Sequence, residues 1–105
     1  MTDYFESEIR KITQQIIEKY KPEKIILFGS AARDQLTSDS DADFLIIKKD
    51  TPFYGIDRTR ELSLMIERDI PVDLIIYRPE EFNGRVAMGD PFLKAILSEG
   101  KVIYG

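Results

Sequence analysis

The residues best suited to chemistry lie in one stretch of the chain, ILFGSAARDQLTSDSDADFLII, at residues 26–47. In this stretch Gly29-Ser30 is followed by ten residues and then by Asp41-Ala42-Asp43. Side chains alternate along a strand, so Asp41 and Asp43 would share one face, with Cα atoms roughly 6–7 Å apart. Carboxylates at that spacing can bind two divalent metal ions about 4 Å apart. The sequence therefore predicts a metal site at the start of an apolar strand.

The register of this acidic pair has an alternative. The polar run before it also contains Asp39, so Asp39 and Asp41 have the same spacing, and all these acids could simply be turn residues. We favour Asp41 and Asp43 because Asp43 lies inside the apolar run ADFLII. An acid that enters so apolar a strand is costly to bury unless its charge is compensated, as a divalent cation would do.

A third carboxylate comes from a later apolar run. Asp73 stands one residue into VDLIIY, as Asp43 stands one residue into ADFLII. If the two runs are neighbouring strands, Asp73 lies beside the pair. Three carboxylates, two metal ions and a nucleoside triphosphate together form a phosphoryl-transfer site. The plainer interpretation is that Asp73 begins a strand and faces water.

Gly29, Ser30 and Arg33 are the candidate phosphate ligands. Glycine lets the backbone approach a phosphate closely, and a helix beginning after it would offer free N–H groups. The Ser30 hydroxyl adds a donor, and Arg33 follows about one helical turn later. A strand that ends in Gly-Ser is usually only a turn, so this assignment depends on the acids nearby.

The composition excludes several classes of function. The 105 residues include no Cys and no His, which excludes disulfides, thiolate nucleophiles, zinc fingers and histidine acid–base catalysis. Any metal must then bind oxygen ligands, as Mg²⁺, Mn²⁺ and Ca²⁺ do. A net charge of −4 without a basic block argues against binding along extended nucleic acid. No signal peptide or membrane-length apolar run is present, so we expect one cytoplasmic domain over residues 1–105, with no membrane contact.

Apolar spacing predicts alternating helices and strands. Helices are expected at residues 3–20, 56–68 and 91–98, with another beginning at 79–82. Strands are expected at residues 24–28, 42–47, 72–77 and 101–104. This order indicates the α/β or α+β class, with a sheet covered by helices on at least one side.

An apolar strand, Gly-Ser, ten residues and Asp-x-Asp on a second strand resemble the signature of the DNA polymerase β-like nucleotidyltransferases. Asp73 is similar to the third acid of that superfamily, and the short chain resembles its minimal nucleotidyltransferases (MNT). The resemblance implies the polymerase β-like fold, a mixed sheet flanked by helices. It also implies that the catalytic residues and ligands of two Mg²⁺ or Mn²⁺ ions are Asp41, Asp43 and Asp73.

The same resemblance implies that Gly29, Ser30 and Arg33 bind ATP or another nucleoside triphosphate. Relatives commonly have glycine after this arginine, whereas this chain has Asp34, a departure that changes the loop expected to hold the phosphates. Minimal nucleotidyltransferases often pair with HEPN-domain proteins as toxin–antitoxin modules. The resemblance therefore implies transfer of a nucleoside monophosphate, AMP from ATP, to a hydroxyl of a HEPN-domain partner.

Other hypotheses stay open at this point. The chain could be a non-catalytic antitoxin or nucleotide-binding module that acts by protein–protein contact. A calcium-binding structural domain is a third hypothesis, although no EF-hand pattern occurs. The sequence leaves homo-oligomerisation open. A partner could dock on Phe92, Leu93 and Ile96, although the same residues could instead cover the sheet.

Overall fold

A four-stranded mixed sheet forms the centre of the protein, in a computed structural model that describes residues 3–29, 32 and 41–105. Its strands, in the order β3-β2-β1-β4, are β1 Lys24–Phe28, β2 Ala42–Ile47, β3 Val72–Tyr77 and β4 Lys101–Tyr104. β1 is antiparallel to β2 and β4, whereas β2 and β3 run parallel. All four strands lie where apolar spacing predicts them.

Helices cover both faces of this sheet. The helices are α1 Asp3–Gln15, α2 Gly55–Met65, α3 Pro79–Ala87 and α4 Pro91–Glu99. On one face α1 and α2 bury side chains such as Ile12 and Leu62 against Phe44 of β2. On the other face α3 and α4 contribute a smaller cluster, Ile26, Leu45, Ile47, Phe82, Leu93 and Ile96. The central strands are therefore apolar on both faces because each face meets helices.

Two helices depart from the predicted bounds. The first helix changes after Gln15 into a π-helical turn, Ile16–Tyr20, which ends at Lys21 with φ 55°. The wider turn leaves Ile16 and Tyr20 both buried, and the Tyr20 hydroxyl lies 2.6 Å from the Thr51 hydroxyl. Burial raises the pKa of Tyr20. The second helix ends at Met65, since Ile66 is extended and turns into the core.

No helix in the described part of the chain is long and apolar enough to span a bilayer.

Arg58 of α2 covers the outer edge of β3. Its side chain is almost fully buried and donates to the main-chain carbonyls of Pro52, Phe53 and Ile76. The Ile76 oxygen faces away from β2, because the next carbonyl along β3 accepts from Lys48 on the β2 side. A capped edge is protected against pairing with a further strand. Arg58 therefore joins α2, the loop before it and β3.

Glu81 of α3 completes this connection. Its carboxylate accepts from Arg58 Nη1 at 2.7 Å and Nη2 at 3.2 Å, and from the main-chain N–H of Arg78 at 2.8 Å. The Arg58 hydrogen bond holds the pKa of Glu81 below its usual 4.5. This contact fixes the first turn of α3 against α2.

Glu81→Gln tests this connection. Glutamine keeps the helix-start hydrogen bond to Arg78 but removes the charge that faces Arg58. We expect a loss of about 1.5 kcal/mol of unfolding free energy at pH 7, the low end for hydrogen bonds to charged groups, because 37% of the Glu81 side chain is exposed. Urea denaturation measures it, with the neighbouring exposed Glu80→Gln as control.

The pH dependence follows from the lowered pKa of Glu81. A carboxylate with a folded pKa below its unfolded value stabilises the protein above the unfolded pKa, and this contribution is lost as pH falls through the folded pKa. The stability difference between wild type and Glu81→Gln should therefore shrink as pH falls below 4.5. A difference that stays constant down to pH 3 would contradict the charged contact.

Candidate active site

Asp43 and Asp73 are direct neighbours in the sheet. β2 and β3 run parallel, and their register pairs Asp43 with Asp73. Neighbouring strands lie about 4.8 Å apart, so the two Cα atoms are close and their side chains project from the same face. Like charges opposite one another destabilise a sheet. An in-register pair of aspartates is therefore a favourable place for a positive group.

The acids lie near one end of the sheet, on the face that carries α3 and α4. Leu45 and Ile47 share this face with Asp43 by alternation, and both belong to the cluster formed with those helices. Asp43 is half-buried and Asp73 is exposed. The acids are therefore anchored on a rigid strand, yet remain open to a ligand.

Gly29 brings the backbone of β1 against Asp43. Phe28 is the register partner of Asp43 in the antiparallel pair, and Gly29 follows with φ 70°. A Cβ added to Gly29 would overlap the Asp43 carboxylate oxygen Oδ2. Glycine is needed here both for the positive φ and for this close approach. Three strands therefore contribute neighbouring groups in the order Asp73, Asp43, Gly29.

The remaining predicted site residues either lie at the border of this pair or fall outside the described residues. Asp41 is exposed and lies one residue before β2. Ser30 and Arg33, like Asp39 of the alternative register and Asp34, lie outside the described residues. Within the described residues, no group of three or more acidic side chains is close enough together to hold a metal ion. The structure thus brings Asp43 and Asp73 together and leaves Asp41 at the border of the pair.

The donor types of this pair suit a hard divalent cation. Carboxylate oxygens are the ligands that Mg²⁺ and Mn²⁺ prefer, and the sequence has no Cys or His to offer instead. The in-register placement of Asp43 and Asp73 and the space that Gly29 leaves for the Asp43 carboxylate fit such an ion.

Concave surfaces flank the acids on both sides. Beyond β1, the described residues that line a cavity of about 170 Å³ are Phe28, Gly29 and four residues of α4, Phe92, Ala95, Ile96 and Glu99. Along β3, a groove of about 550 Å³ begins one residue after Asp73, at Leu74, and runs between α2 and α3. The site therefore has one surface on the Gly29 side and another on the Asp73 side.

The structure distinguishes the two interpretations left open for Phe92, Leu93 and Ile96. Leu93 and Ile96 are buried and cover the sheet, whereas Phe92 is exposed. The groove beside Asp73 could not be predicted from the sequence, because its apolar border residues Phe53 and Met88 lie far apart in the chain. They are 70% and 86% exposed. Two exposed apolar residues give no signal until the fold brings them to one groove.

Comparison with known proteins places the chain in a family. Residues 10–105 match the model of the polymerase beta nucleotidyltransferase family. Two proteins of Methanocaldococcus jannaschii, each named "Putative protein adenylyltransferase", are similar to it. One is 33% identical over 94% of this chain and 97% of its own length. The other is 34% identical over 87% and 85%.

A solved structure shares the fold. A crystal structure titled as a "putative nucleotidyltransferase" from Sulfolobus solfataricus superimposes with a TM-score of 0.61 at 23% identity, over 97% of this chain and 86% of that one. The family match covers Gly29, Asp43 and Asp73 and nearly all of the fold around them. The chain therefore belongs to the polymerase beta nucleotidyltransferase family.

Proposed function

We propose that this protein transfers AMP from ATP to a hydroxyl group of a partner protein, in a metal-dependent reaction. The observation that carries the proposal is the in-register pair Asp43–Asp73, with the Gly29 backbone packed against Asp43. The names of the two Methanocaldococcus relatives support a protein as acceptor and adenylate as the group transferred.

In this proposal the residues divide the reaction between them. Gly29, Ser30 and Arg33 hold the β and γ phosphates, and Asp41 and Asp43 hold the metal ions that bind the triphosphate. Two Mg²⁺ or Mn²⁺ ions would neutralise charge on the attacking and leaving oxygens. Asp73 also contributes to metal binding, and it orients the acceptor hydroxyl and accepts its proton. The acceptor oxygen forms a bond to the α-phosphorus, the bond to the β-phosphate oxygen breaks, and pyrophosphate leaves.

The groove along β3 suits the acceptor. It starts beside Asp73, the residue proposed to orient the hydroxyl, and its border includes the exposed side chains of Phe53 and Met88. Aromatic residues and Met are enriched in protein–protein interfaces. A partner segment lying in this groove would approach the site from the side opposite Gly29.

Charge and family resemblance support the kind of partner proposed. The net charge of −4, without a basic block in the sequence, argues against a long nucleic-acid acceptor. Resemblance to the minimal nucleotidyltransferases points to a HEPN-domain protein, with a tyrosine hydroxyl as the acceptor. The chain would then act as the antitoxin of a HEPN/MNT pair, by modifying its partner.

Metal and nucleotide binding form the first test. ATP with Mg²⁺ should raise the melting temperature of the wild type, because a ligand bound only by the native state stabilises it. Asp41→Asn combined with Asp43→Asn should abolish this increase, whereas Asp57→Asn, a half-buried acid in the first turn of α2, should retain it. Thermal denaturation with and without ATP and Mg²⁺ measures the effect. An undiminished increase in the double variant would contradict the metal assignment.

Asp73→Asn separates binding from transfer. Its proposed role concerns the acceptor rather than the triphosphate, so transfer should fall about 100-fold or more, the usual range for loss of a general base. The affinity for ATP should change little. Radiolabelled transfer to the partner and equilibrium binding of ATP give the two readouts. Near wild-type turnover by Asp73→Asn would show that Asp73 has no catalytic role.

The partner is tested by co-expression with the product of the neighbouring gene. We expect the two proteins to co-purify and the partner to gain mass in AMP units, as intact mass spectrometry would show. The increment should disappear with the Asp41→Asn, Asp43→Asn variant. A stable complex without added mass would instead favour the non-catalytic antitoxin. Efficient transfer to a free small molecule, with no complex, would overturn the protein-acceptor proposal.

A further inference from the structure

The connection between α2 and β3, residues 66–71, has no regular secondary structure, yet it leads directly to Asp73. Ile66 and Ile70 are buried in the core cluster that α1 and α2 form on the sheet. The chain between them is fixed by contacts other than helical or ladder hydrogen bonds, and a connection that moved would carry the start of β3 with it. What holds this connection therefore bears on where Asp73 lies.

One face of α1 holds the main chain of the connection. The side-chain amide of Gln15 makes two hydrogen bonds with Glu67: Nε2 donates to the main-chain oxygen and Oε1 accepts from the main-chain N–H, each at 2.7 Å. Two turns earlier in α1, the Glu8 carboxylate accepts from the N–H of Asp69 at 3.0 Å. Residues seven apart lie on the same face of a helix. α1 therefore supplies hydrogen bonds that these main-chain groups do not obtain from a strand or a helix.

Glu8 is a buried acid that the proposed reaction does not use. Only 8% of its side chain is exposed. Lys11 Nζ lies 4.0 Å from Glu8 Oε2 and 3.6 Å from Asp69 Oδ2, so the lysine bridges the two acids. A buried carboxylate that lost its donor would be left unsatisfied, at a cost greater than the hydrogen bond itself contributes. Glu8 and Lys11 therefore hold Asp69 in one place relative to α1.

The connection transmits this placement to the acidic pair. The Pro71 carbonyl accepts from the N–H of Ala42 at 3.0 Å. Ala42 directly precedes Asp43, and Asp73 follows Pro71 by two residues, so this bond lies next to the register pair Asp43–Asp73. α1 packs on the face of the sheet opposite to the one that carries α3, α4 and the two acids. Its polar side chains therefore act on Asp73 through the main chain, from the other side of the sheet.

We infer that Gln15 and Glu8 are positioning residues for Asp73: by holding the connection, they set where its carboxylate lies relative to that of Asp43. The inference rests on the proposed function, in which Asp73 contributes to metal binding and orients the acceptor hydroxyl. Groups that hold metal ligands in place typically influence metal affinity although they do not bind the ion. Both residues lie in the first helix, outside the motif that extends from Gly29 to Asp43.

Amide hydrogen exchange tests whether the placement is transmitted. Gln15→Ala removes both bonds to Glu67, so we expect the amides of Glu67 and Ala42 to exchange about tenfold faster or more, because the hydrogen bonds that limit local opening are weakened. Amides that join β1 to β2 should exchange as in wild type. NMR measures each rate separately. Gln14→Ala is the matched control, because Gln14 is exposed and its side chain donates to Glu18 instead.

Binding of Mn²⁺ to the full chain, measured by electron paramagnetic resonance, tests the effect on the site. Asp73→Asn should weaken binding, and Gln15→Ala should weaken it about tenfold, the lower end of the effect of groups that orient metal ligands. Gln15→Ala should have no further effect in the Asp73→Asn background, whereas a general loss of stability would lower the affinity in both backgrounds. Glu8→Gln, which keeps an acceptor for the Asp69 N–H, should retain most of the affinity that Glu8→Ala loses.

Outcomes for the positioning role and for the proposed function are distinguishable. Faster exchange at Glu67 with unchanged exchange at Ala42 would confine the effect to the connection and overturn the positioning role. Mn²⁺ affinity as in wild type for Gln15→Ala, with a lower affinity for Asp73→Asn, would overturn that role and leave the proposed function standing. A wild type that does not bind Mn²⁺, or an Asp73→Asn variant that binds it equally well, would overturn the metal role of Asp73 and this inference with it. Melting temperatures of the variants show that each is folded.

Discussion

Two aspartates placed opposite one another on neighbouring strands are the constraint around which this protein is built. Without compensation, the repulsion between Asp43 and Asp73 weakens the pairing of β2 with β3. The rest of both strands offsets this cost by apolar burial, since Phe44, Leu45 and Ile46 lie on β2 directly after the acid and are fully buried. The sheet can therefore present a concentrated negative charge at one end without losing its register.

The same arrangement separates two sides of the site. Gly29 directly follows β1, its missing side chain makes room for the Asp43 carboxylate, and the cavity next to it carries aromatic rings. β3 contributes Asp73 and continues into a groove with exposed apolar borders. In the proposed reaction the nucleotide occupies the β1 side and the acceptor the β3 side, with the acids between them. Sheet order alone, β3-β2-β1, produces this division.

Much of this could be predicted from the sequence, for identifiable reasons. The four strands are short apolar runs bounded by polar residues, so each strand can be predicted from its own segment of the sequence. Asp73 was predicted to lie beside Asp43 if β2 and β3 were neighbouring strands, and the sheet topology shows that they are. The family was evident from Gly29-Ser30 and the Asp-x-Asp motif, and the family model matches. The roles assigned to these residues, including Ser30 and Arg33, stay predictions.

Other features could not be predicted because they depend on contacts between distant segments. Arg58 sits in an amphipathic helix where a charged residue is normally solvated, yet the fold buries it against β3 and Glu81. The antiparallel pairing of β4 with β1 brings the end of α4 next to Gly29. No local sequence pattern predicts this pairing. The cavity between Phe28 and Phe92 is a consequence of this pairing.

The central claim is that Asp43 and Asp73 form one cation-binding site for a nucleotide. The most direct measurement is anomalous X-ray diffraction from crystals grown with Mn²⁺ and a non-hydrolysable ATP analogue. The account predicts an anomalous peak at the end of the sheet, bound by the Asp43 carboxylate, with the Asp73 carboxylate in the same metal cluster and the triphosphate extending toward Gly29. Manganese bound elsewhere, or a nucleotide bound with no ion at Asp43, would contradict it.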